Sequence, residues 1–129
     1  MVKVLTVAVT TNGSGAATGY TAPVSGLVRA IAYVPHGTTP IDTNGDIVVS
    51  ANTSGMAILT KANIGTSAVQ WFPRAPTAAV ADGAALLYAG GGAAVCDLIP
   101  VADEAVKIVV ANGADTKSGT FYVFIDGGV

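Results

Sequence analysis

Residues 26–61 constrain the fold more than any other stretch of the chain. They read GLVRAIAYVPHGTTPIDTNGDIVVSANTSGMAILTK, three runs of aliphatic residues separated by two patches of turn residues. Short β-branched runs punctuated by Gly, Pro, Asn and Asp are the pattern of consecutive antiparallel strands. In 27–34, Leu27, Arg29, Ile31 and Tyr33 alternate with Val28, Ala30, Ala32 and Val34, and Pro35 closes the run. Both faces are largely apolar, which suits a strand inside a sandwich or against a neighbouring subunit. Residues 46–51 and 56–61 flank Asn-Thr-Ser-Gly, a hairpin signal.

The remainder of the chain continues the theme. Residues 2–11 alternate, with Lys3, Leu5, Val7 and Val9 on one face. Residues 20–24 form a short edge segment, because Pro23 cannot donate to a ladder. Further strands fall at 69–73, 84–89, 93–99, 104–111 and 120–125. In 104–111, Val106, Ile108 and Val110 face one way and Ala105, Lys107 and Val109 the other. The alanines of 78–85 suit a helix, but Asp82-Gly83 and the flanking prolines oppose one. The expectation is a single all-β domain over residues 1–129. It is an antiparallel β-sandwich of jelly-roll or immunoglobulin-like order, with eight or nine short strands, little or no helix and an N-terminal arm. Neither an internal repeat nor a linker divides it.

Composition bears on what such a sandwich does. Charged residues make up 11% of the chain against about 25% in average domains, while hydrophobic residues make up 51%. A surface so poor in charge makes sense if copies of the chain, or a larger assembly, cover part of it. Six basic residues scattered singly and a net charge of −2 argue against a nucleic-acid partner. The opening apolar run is too short for a signal segment, and no run reaches the ~20 residues of a membrane helix. One cysteine permits no internal disulfide, and Cys96 reads as a small buried hydrophobe.

Chemistry-bearing constellations are absent from the pattern. Residues 42–46, DTNGD, lack the glycine and glutamate positions of an EF-hand and read as an Asx turn. His36 has no His, Cys or Glu at ligand spacing and reads as a loop or contact histidine. Asp103 and Glu104 point to opposite faces of a strand and read as solvated. The glycine-rich stretches 13–15 and 90–92 lack the lysine of a phosphate loop. No catalytic, cofactor or metal site is expected. Trp71, Phe72 and Arg74 stand apart, because aromatic residues and arginine anchor interfaces. Trp71 reads first as a core aromatic, then as an anchor, then as a platform for a sugar ring. With His36 and Ile41 from the loop 36–46, these three make up the candidate contact residues.

The order of features also resembles a known group. NGSGAATGYTAPVSG, GLVRAIAYV, GDIVVSANTSGMAILTK, WFPRAP and EAVKIVVANGADTKSGTFYVFI follow one another over most of the chain. This resembles the decoration, or cement, proteins of tailed bacteriophages. The resemblance implies an all-β virion protein, made in the host cytoplasm, that binds the major capsid protein from outside and reinforces the shell. It also implies self-association, a trimer being favoured, with no cofactor and no membrane or nucleic-acid partner. The alternative is a carbohydrate- or receptor-binding module of a phage tail or head fibre, and an enzyme is the remotest reading.

Overall fold

Alternation of apolar side chains resolves into eleven strands in the computed structural model, which describes residues 1–127. They are β1 (Val2–Thr10), β2 (Ala17–Tyr20), β3 (Val24–Pro35), β4 (Asp46–Ala51), β5 (Ala57–Lys61), β6 (Val69–Trp71), β7 (Ala75–Pro76), β8 (Cys96–Asp97), β9 (Ile99–Glu104), β10 (Val106–Ala111) and β11 (Ser118–Asp126). One sheet runs β1-β11-β3-β6, with β9 pairing the opening half of β3. The other runs β2-β10-β4-β5, and every pairing is antiparallel. This is the expected all-β sandwich.

The core follows from the period of two. Val7, Val9, Val28, Ile31, Tyr33, Phe121, Val123 and Ile125 of the first sheet meet Ile47, Val49, Ile58, Val106, Ile108 and Val110 of the second. Burying each such side chain contributes about 1.5–3 kcal/mol. The rings of Tyr33 and Phe121 stack at 5.0 Å between centroids. Gly119 lies under Tyr33, and a Cβ there would overlap the ring. Gly19 likewise lets β2 approach Val7 and Val9.

Three expectations need correction here. The alternation in β3 breaks at Arg29, because a bulge shifts its register against β11 between Phe124 and Ile125. Val28, Ile31 and Tyr33 therefore face inward, while both Arg29 and Ala30 lie on the outer side. The N-terminal residues form no arm, since β1 pairs with β11 from Val2 to Thr10. The loop 36–46, expected to supply contact residues, is pinned to the sandwich. The N–H of His36 donates to Ser118, that of Ser118 to Thr39 and that of Asp42 to Gly113. Ile41, expected at a contact surface, is fully buried and plugs one end of the sandwich.

The arm of this molecule is instead the excursion between β6 and β9. Above the β7–β8 stem, residues 80–93 are all exposed. Its backbone shows a nine-residue pseudo-repeat that the sequence pattern hides. The N–H of Thr77 donates to Val95 at 2.8 Å, that of Val95 to Leu86 at 2.7 Å and that of Leu86 to Thr77 at 2.7 Å, closing a ring. The bonds from Ala79 to Ala84 and from Tyr88 to Ala93 repeat with the same offset, as do the bridges Ala78–Ala85 and Leu87–Ala94. Gly-Ala-Ala at 83–85 and 92–94 is the trace left in the sequence. Cys96 sits exposed in the stem of this tip, not in the core.

Candidate interaction surface

The bulge at Arg29 opens the outer face of the first sheet. Alternation places Val2 and Val4 of β1, Tyr122 and Phe124 of β11, and Ala30 and Ala32 of β3 on that face. Val2 and Val4 are each about half exposed, and beside Phe124 they join one apolar patch on this face. The chain leaving β6 completes one wall. Val2, Ala30, Gln70, Phe72, Arg74 and Phe124, with Arg29, enclose a groove of about 570 Å³. Phe72 is 66% exposed within it.

Strand alternation thus divides the aromatic cluster that the sequence singles out. Trp71 turns inward and packs, half-buried, against the core. Phe72 and Arg74 turn outward into the groove. One guanidinium nitrogen of Arg74 donates to the carbonyls of Arg29 at 3.0 Å and Pro73 at 2.8 Å. Arg29 is paired with Asp126 at 2.8 Å. Among the described residues, no carboxylate lies within 4.0 Å of Arg74.

The remaining singled-out residues hold structure. The Nδ1 of His36 accepts from the N–H groups of Thr38 and Thr39, both at 3.2 Å, so the ring caps its own loop. His36 also borders a second recess of the outer face, with Ala8, Val34 and Thr120. Asp42 forms the expected Asx turn, accepting from Asn44 at 2.9 Å. Asp46 accepts from the Asn112 side chain and the Asn63 N–H, and these bonds hold its carboxyl below the usual carboxylate range.

Glu104 departs from its expected solvated role. The residue is largely buried, and its carboxylate accepts from the N–H of Ser54 at 2.8 Å and of Thr53 at 2.7 Å. It clamps the β4–β5 turn, and those bonds, led by that of Ser54, lower its pKa. Nothing in the spacing of residue 104 from residue 54 could reveal this partnership. Among the described residues, no three His, Cys, Asp or Glu side chains cluster as metal ligands would.

Comparison with known proteins adds little to this geometry. No protein-family model and no curated protein matches the chain. The fold is similar to a solved structure described as the crystal structure of FLHE, with 12% identity, 98% of each chain covered and a TM-score of 0.47. At that score and identity the likeness carries no functional argument.

Proposed function

We propose that this chain is a structural virion protein that binds the outside of a phage capsid and stabilises the shell. The observation that supports this reading best is the apolar outer face of the first sheet, groove included, on a chain with 11% charged residues. An exposed apolar patch on one sheet face favours a protein-contact role. The capsid as the partner comes from the sequence resemblance. A repeating lattice favours such a binder, because many shape-matched contacts act together by avidity.

A sugar-binding reading has one observation in its favour: exposed Phe72 lies beside Gln70 and Arg74. Val2, Ala30 and Phe124 offer sugar hydroxyls no partners, and Arg29, which also lines the groove, is already paired with Asp126. Co-sedimentation with undecorated capsids tests the proposal. Binding that saturates at a fixed number of copies per shell, with a raised temperature of capsid rupture, is the expected result. Capsids that neither retain the protein nor gain heat resistance would overturn it.

A further inference from the structure

We infer that the tip of one copy seats in the outer-face groove of a second copy, with Asp82 of the tip meeting Arg74 of the groove. The inference rests on the assembly reading above only for its context. Its grounds are the chemistry of the two surfaces. Val80, at the apex of the first tip turn, is fully exposed, so none of the described residues covers it. Leu86, Leu87 and Tyr88 on the same tip are exposed as well. The groove offers the matching apolar walls in Val2, Ala30, Phe72 and Phe124.

Charge fixes the direction of docking. Between Arg74 and Asp97, Asp82 is the one charged residue. One of its carboxylate oxygens accepts from the Ala84 N–H at 3.0 Å, and the other makes no hydrogen bond among the described residues. In the groove Arg29 is paired with Asp126, which also lies 3.9 Å from the Met1 amino group, whereas Arg74 has only carbonyls as hydrogen-bond partners among the described residues. A carboxylate flanked by apolar side chains therefore meets a guanidinium flanked by apolar side chains. Such a pair sets register and excludes wrong partners by like-charge repulsion. Tip and groove are different patches, so the contact is heterologous and builds rings or open chains rather than two-fold dimers.

Sedimentation velocity over a wide concentration range tests the inference. The wild type sediments as an oligomer. Val80→Asp places a second carboxylate at the apolar apex and weakens association by at least about tenfold, a loss expected of a central contact residue. Arg74→Asp does the same, and combining it with Asp82→Arg restores association while each single change does not. Unchanged Trp71 emission and circular dichroism show that the variants fold. A wild type that stays monomeric, a Val80→Asp protein that still associates, or a charge swap without rescue would overturn the inference. Capsid binding separates the two readings. A monomeric wild type that decorates capsids sinks only the tip-to-groove contact. A tip-dependent oligomer that ignores capsids sinks only the capsid role.

Discussion

Tyr33 and Glu104 are two buried residues in which polar chemistry and packing meet. Among the described residues, the Tyr33 hydroxyl makes no well-formed hydrogen bond in the core, though the Ile41 backbone approaches it. Burial pushes its pKa up. An unmet hydroxyl is costly, so removing it sacrifices little. Tyr33→Phe is expected to unfold within about 1 kcal/mol of wild type or above it in denaturant titration. Glu104 has the opposite logic. Its folded pKa lies below the unfolded value, so its contribution to stability is present above the ordinary carboxylate pKa. That contribution fades as pH falls through the lowered folded value. Glu104→Gln should therefore melt earlier than wild type at pH 7, and the gap should close on acidification towards pH 3. A gap that widens at low pH would contradict the clamp.

At the scale of elements, β3 and β6 decide what faces outward. The bulge at Arg29 keeps Arg29 and Ala30 together on the outer side, while the alternation through Val69, Gln70, Trp71 and Phe72 sends neighbouring residues to opposite sides. Trp71→Ala should cost about 2–4 kcal/mol of stability, whereas Phe72→Ala should stay within about 0.5 kcal/mol and act on association instead. Chemical denaturation beside sedimentation separates the two. Strands with clean alternation were legible from the residues alone: the expected 46–51 run is β4, and Val106, Ile108 and Val110 are buried as their spacing requires. The β3 faces were not legible, because a bulge shifts the period by one residue and leaves no compositional mark. Ile41 was misplaced for a related reason: a lone isoleucine among turn residues has no period, and only the fold shows that it plugs the sandwich. Of the groove, Phe72 and Arg74 could be named in advance, whereas Val2, Ala30 and Phe124 reach it through pairings distant in sequence.

For the whole molecule, the sandwich and the tip are separable by burial. No residue between Pro76 and Cys96 belongs to the buried core. Replacing residues 78–94 with a short Gly/Ser link should leave sandwich stability within about 0.5 kcal/mol, measured by calorimetry, while abolishing self-association. The ring of hydrogen bonds through Thr77, Leu86 and Val95 has a further consequence. A flat hairpin of this Ala- and Leu-rich composition would hold out open N–H and C=O groups, a template on which further copies could stack as fibrils. By turning three segments back on one another, the tip uses those groups itself at its centre. The chain can then display an apolar projection at high local concentration while lowering its hazard of amyloid-like growth.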